Sequence, residues 1–154
     1  MENLTYTLLN KPHCLNTIYP EGHMNDIVHR FINQPIVSIT GLEKGSEKLE
    51  FKMMLGTLVM EHLNDCCESV TIEDFEGDPD DLVGQVLLEA EEVVDGTGKR
   101  HRGKDPKHSE SLTWTFYKFR TTKGDLWVRW LGESNGYYSE RVSTTWTPIN
   151  EEVN

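Results

Sequence analysis

Residues 112–131 constrain the fold more tightly than any other part of the chain. Leu112-Thr-Trp-Thr-Phe-Tyr-Lys-Phe-Arg120 is built from β-branched and aromatic residues, with no Gly or Pro to interrupt it. Thr122-Lys-Gly124 has turn composition, and Asp125-Leu-Trp-Val-Arg-Trp-Leu131 repeats the strand pattern. Two long strands joined by so short a turn must pair antiparallel. Alternation then puts Leu112, Trp114, Phe116 and Lys118 on one face and Thr113, Thr115, Tyr117 and Phe119 on the other. In the second strand Trp127 and Arg129 share a face opposite Val128 and Trp130. Aromatic residues therefore occupy both faces, one suited to a core and the other to a ligand, a partner subunit or the N-terminal extension.

A third strand is expected to follow. Ser134-Asn-Gly136 reads as a tight primed turn, because Asn-Gly supplies positive φ, so 137–146 should return beside the second strand. Earlier, Ile36–Thr40, Leu49–Met53 and Leu58–His62 alternate with turn segments and read as a meander. Asn25-Asp26 reads as the cap of a short helix over Ile27–Asn33, with Ile27, Val28, Phe31 and Ile32 on its apolar face. Val70–Ile72 is a short strand, and Glu73–Asp81 reads as an acidic loop leading to a short helix at 80–83. Residues 85–95 are assigned to strand. The expected fold is α+β and β-dominant: one domain on a twisted antiparallel sheet with one or two short helices. Its limits are an N-terminal extension at 1–24, the domain at 25–147 with a mobile basic loop at 96–109, and a tail at 148–154.

Composition narrows the function classes. The 154 residues suffice for one core without disulfides or metal. No apolar run is long enough to span a membrane and the N-terminus has no secretory leader pattern, so a cytoplasmic protein is expected. Cys14, Cys66 and Cys67 are too few for a disulfide framework and are expected as free thiols, with one of the adjacent pair facing the core. The net charge of -11 opposes binding to duplex nucleic acid. That charge is polarised, since residues 61–95 hold thirteen Asp or Glu and no Lys or Arg, whereas 99–107 hold five basic residues.

No motif for a cofactor or for catalysis is present. A Gly-rich phosphate loop, a G-x-S-x-G elbow and a His-Glu-x-x-His helix are all missing. The carboxylates at Asp65, Glu68, Glu73, Asp74, Glu76, Asp78, Asp80 and Asp81 do not follow the twelve-residue calcium pattern and read as solvated acids. His62, Cys66 and Cys67 lack the paired ligand motifs of structural zinc, and His13, Cys14 and His23 would have to complete the set. The expectation is a protein without metal or cofactor.

A binding constellation is the chemically specific signal. Trp114, Trp130, Tyr137 and Tyr138 are of the type that stacks on a planar base, and Arg120, Arg129 and Lys118 of the type that pairs with phosphate. Glu133, Asn135 and Glu140 would add acceptors and donors beside the rings. Asn135 is equally explained as a turn residue.

His62-Leu-Asn-Asp-Cys-Cys-Glu-Ser-Val-Thr-Ile-Glu-Asp74, Gly77-Asp-Pro-Asp-Asp-Leu-Val-Gly84, Ala90-Glu-Glu92, Thr113-Trp-Thr-Phe-Tyr-Lys118 and Arg129-Trp-Leu-Gly-Glu-Ser-Asn-Gly-Tyr-Tyr-Ser-Glu140 together resemble a small domain family of unknown function found in phages and bacteria. The resemblance covers about Phe31 to Val142 and brings no catalytic residues with it. It implies a phage accessory protein directed against host antiviral defence. The mechanism expected first is sequestration, without cleavage, of a nucleotide-derived immune signal by Trp114, Arg120, Arg129, Trp130, Glu133, Asn135, Tyr137 and Tyr138. The alternative is an acidic inhibitor whose span 61–95 occupies a basic surface of a host defence protein. A plain interaction module is the third reading. By analogy with small-ligand sponges, a symmetric homo-oligomer is expected.

Overall fold

The computed structural model describes residues 22–95 and 111–149; the basic loop at 96–109 and most of the N-terminal extension fall outside the described residues. Among the described residues eight strands form two four-stranded antiparallel sheets. The first contains β1 (Ile36–Thr40), β2 (Lys48–Met53), β3 (Gly56–Glu61) and β8 (Ser143–Pro148), in that order. The second runs β4 (Ser69–Glu76), β7 (Asp125–Ser134), β6 (Ser111–Arg120), β5 (Glu89–Asp95). The antiparallel, β-dominant architecture is as the sequence implies, with its strands divided between two sheets.

Local chemistry accounts for the connections. β6 and β7 pair from Ser111↔Ser134 to Arg120↔Asp125. Thr121 closes their turn, its N–H donating to Gly124 O at 2.9 Å while its hydroxyl oxygen accepts from the N–H groups of Lys123 and Gly124. β2 and β3 are joined by only Met54 and Leu55, the meander expected from the sequence.

The inner faces share one core. Leu49, Phe51, Leu58 and Met60 of the first sheet are fully buried, as are Ile72, Tyr117, Phe119, Leu126 and Trp130 of the second. Phe51 and Phe119 meet between the sheets with ring centroids 4.5 Å apart. Among the described residues one short α-helix, α1 (Met24–Ile27), buries Met24 and Ile27 against this core.

Four expectations are corrected. The helix begins earlier and is shorter than 27–33, passing into a 3-10 turn at Val28–Arg30. Asn25 caps nothing; its side chain pairs with the backbone of Glu92 at 2.9 Å in both directions, extending the edge of β5. The acidic segment from Glu73 is strand as far as Glu76, because it pairs with β7. After it, Pro79–Asp81 forms a single 3-10 turn in which Asp78 accepts from the N–H of Asp80. Cys66 and Cys67 are both exposed and are joined to each other by a disulfide. They occupy a bend, so the two side chains do not diverge to opposite faces as they would in a strand.

The expected hairpin at Asn135-Gly136 is the fourth correction. Gly136 has the positive φ, +92°, that the dipeptide implies. The chain does not return along β7, however, because β4 already occupies that edge. It crosses instead to the first sheet, where β8 pairs with β3 from Gly56↔Pro148 to Glu61↔Ser143. The crossing lies tightly over β7, since a Cβ at Gly132 would sit 2.7 Å from both the Cβ and the carbonyl oxygen of Glu140. Gly132→Ala is therefore expected to cost about 1–3 kcal/mol, the usual range for overpacking. Urea unfolding measures it, and an unchanged midpoint would show that this approach is not tight.

Candidate functional site

Strand alternation sorts the candidate residues. Thr115, Tyr117 and Phe119 point inward from β6, as do Leu126, Val128 and Trp130 from β7. The opposite face of the second sheet then presents Trp114, Phe116, Lys118 and Arg120, with Trp127, Arg129, Leu131 and Glu133 beside them. Of the residues singled out from the sequence, Trp114, Arg120, Arg129 and Glu133 lie on this outer face; Trp114 and Arg129 meet, whereas Arg120 and Glu133 stand toward opposite ends of the β6–β7 ladder. Trp130 does not, being wholly enclosed in the core where no ligand reaches it. Asn135, Tyr137 and Tyr138 lie beyond the end of β7 on the crossing, with Asn135 Oδ1 accepting from the Tyr137 N–H at 2.9 Å. The Tyr137 ring is 85% exposed and meets Tyr138 edge to face at 5.1 Å.

The outer face is aromatic and its cations are already engaged. The Arg129 guanidinium lies 4.8 Å from the centre of the Trp114 ring. Its other edge grips Asp74 of β4 in a two-point pair, Nε donating to Oδ1 at 2.9 Å. Arg120 donates to Glu89 across the β5–β6 ladder at 2.5 Å. The Lys118 ammonium sits 5.2 Å from the Trp127 ring centre. Such half-exposed pairs contribute roughly 0.2–1 kcal/mol each, so they orient the cations more than they stabilise the fold.

Asp74, Glu76, Phe116, Asp125, Trp127 and Arg129 surround a broad depression of about 790 Å³ at one end of this face. Asp74 is spent on Arg129. Glu76 and Asp125 are exposed and have no cation against them among the described residues. Phe116, Trp127 and Asp74 were not among the candidate ligand-binding residues. The signal was present for the two rings, since alternation alone puts them with Trp114 and Arg129; Asp74 depended on its strand pairing.

A second group forms where the sheets exchange strands. The segments 62–68 and 135–142 carry the chain between sheets and meet at His62. Its Nδ1 donates to the Arg141 carbonyl at 2.6 Å and its Nε2 lies 2.9 Å from Glu68 Oε1. Both partners are acceptors, so both bonds form together only on the protonated ring. Glu68 also accepts from the N–H groups of Asp65 and Cys66. These two motifs, about seventy residues apart in the chain, form one structural clasp. His62 is thereby occupied, and among the described residues no group of three or more His, Cys, Asp or Glu is placed to hold a metal ion. No described helix is long and apolar enough to cross a membrane.

The Asp65 backbone N–H, and after it His62, lower the Glu68 pKa from the ordinary 4.5 to about 2. A depressed carboxylate stabilises the fold fully above its unfolded value and loses that contribution as pH falls toward the folded one. Wild-type melting temperature should therefore decline between about pH 4.5 and 2, and Glu68→Gln should flatten the decline in that window. Parallel slopes in differential scanning calorimetry would exclude Glu68 as a source of it.

Residues 25–144 match the family model described as Domain of unknown function (DUF7448), and the chain belongs to that family. No curated protein and no solved structure matches it.

Proposed function

We propose that this DUF7448 protein is a non-catalytic binding protein that acts through the outer face of the second sheet, and that its occupant is a basic protein surface. In this reading it is an acidic inhibitor, made by a phage, that occupies a nucleic-acid-binding or active surface of a host defence protein in the bacterial cytoplasm. The observation that carries it is the charge pairing. Arg129 and Arg120 already hold Asp74 and Glu89, whereas Glu76 and Asp125 stand open beside Trp127 and Phe116. An incoming Arg or Lys finds carboxylates for its charge and exposed ring edges of Trp127 and Phe116, beside the resident Lys118, for its stem. Trp and Arg are also the residue types that most often anchor protein interfaces. The overall charge of -11 speeds approach to a basic target.

One observation favours the second reading, sequestration of a nucleotide-derived signal. Trp114, Arg120 and Arg129 are on one face, and the Arg129–Asp74 pair is weak enough for phosphate to displace. Against it, Arg129 lies over the Trp114 ring and Lys118 over the Trp127 ring, so a base must displace a cation to stack on either.

The two readings separate by mutation. Native mass spectrometry of protein recovered from phage-challenged cells should show a host protein bound to the wild type and no nucleotide. Affinity for that purified protein should fall at least tenfold in Glu76→Lys/Asp125→Lys, weaken with added salt, and be largely kept in Arg129→Ala. A co-purifying nucleotide that Arg129→Ala loses and the charge reversal keeps would overturn the inhibitor reading in favour of sequestration.

A further inference from the structure

On the inner side of the second sheet a separate cavity of about 240 Å³ opens between α1, β5, β6 and the crossing segment. Two buried carboxylates stand in its walls. Glu140 is 8% exposed; its Oε2 accepts from the Ser111 and Thr113 hydroxyls at 2.8 and 3.3 Å, while its Oε1 is buried with no hydrogen-bond partner. Glu92, whose side chain is 2% exposed, accepts from His23 Nδ1 at 2.5 Å and from the Met24 N–H at 3.3 Å. Opposite Glu92 in the β5–β6 ladder, the Tyr117 hydroxyl is enclosed behind the cavity wall beside Glu92 and Thr144. Burial, reinforced by the Glu92 carboxylate, holds that hydroxyl protonated by raising its pKa well above the usual range.

An enclosed carboxylate oxygen without a donor is costly, at roughly 1–3 kcal/mol or more for a charged group. Native proteins rarely leave one unless something occupies the site. The rim has the opposite character: His23 is half-exposed and Arg141 is exposed, and Arg141 has no carboxylate against it among the described residues. At about 30 Å³ per water the space equals roughly eight waters, which suits a molecule of about that many non-hydrogen atoms.

We infer that this cavity is a binding site for a small amino or guanidino acid, whose cationic end pairs with the buried Glu140 carboxylate and whose carboxylate meets Arg141 at the rim. The polarity follows from the walls. Acceptors lie inside and a cation lies outside, so a ligand of reversed polarity meets like charge at both ends. The site is independent of the outer face, from which it is separated by the thickness of the sheet.

The probe is 3-guanidinopropionate, titrated into the full chain by isothermal calorimetry and by two-dimensional NMR. Saturable binding is expected, with shifts at Thr113, Thr115 and Arg141. Glu140→Gln should weaken it at least tenfold by exchanging the carboxylate for a neutral amide. Should Glu140→Gln fail to fold, Arg141→Gln, a surface change, should also weaken it, but leave unaltered any weak binding of butylguanidinium, which has no carboxylate. N-carbamoyl-β-alanine, its neutral urea counterpart, should bind at least tenfold more weakly than the probe. The inference fails if 3-guanidinopropionate does not saturate at millimolar concentration, if the urea binds equally well, or if both variants bind as the wild type does.

Discussion

Everything outside the core follows from the decision, made residue by residue along β6 and β7, of which side chains the two sheets enclose between them. Across their faces the sheets are held by apolar contact such as Phe51 on Phe119, with backbone hydrogen bonds at the margin, as between Ile72 of β4 and the turn at Gly45 and Ser46. Such contact is non-directional, but strand pairing makes it exact in register, since a slip of one residue would exchange every inner for every outer side chain. Trp130 inside and Arg129 outside are therefore one choice. Enclosing Trp130, Val128 and Leu126 is what exposes Arg129 and Trp127, and enclosing Tyr117 and Phe119 is what exposes Phe116 and Lys118.

The same economy explains the motif at the end of β7. Gly132 lets Glu140 lie against the strand, the Ser134 hydroxyl accepts from the Gly136 N–H, Asn135 accepts from Tyr137, and Glu140 ties the start of β6. Arg141 contributes its carbonyl to His62. A run that looks like a ligand-binding signature is thus largely the construction of a crossing between sheets. The polar types that bind ligands are also those that satisfy backbone groups where regular pairing stops. Tyr137 is the exception, exposed with no structural demand on it beyond its contact with Tyr138.

What was legible in the sequence divides along the same line. The meander of β1 to β3 and the β6–β7 hairpin were readable because alternation and short turns are local properties. The destination of β8 was not, because Asn-Gly specifies a backbone angle and not a partner; β4 had taken the edge of β7, a fact decided sixty residues earlier. Strand character at Glu73–Glu76 was hidden for a related reason. These acids have poor intrinsic preference for strand, and it is the cross-strand partners Arg129, Val128 and Trp127 that draw them in. The outer-face candidates Trp114, Arg120 and Arg129 were found by alternation. Trp130 was misplaced by grouping residues along the motif in place of along the face.

β6 is the element common to both surfaces, with Thr113 and Thr115 on the cavity and Trp114 and Phe116 on the outer face. Contiguity of this kind invites an expectation that occupancy of one side changes the other. Coupling requires more than a shared strand: it requires that the strand have two arrangements which the ligands favour unequally. β6 is paired along its length with β7 and over seven residues with β5, and its inner side chains are packed into a close-fitting core. A single-residue slip would bury Lys118 and expel Tyr117, at a cost far above the 1–3 kcal/mol over which ligands usually communicate. A register slip of β6 is therefore not a route by which one surface could signal to the other; a shared strand is geometry, and linkage would need a different two-state element.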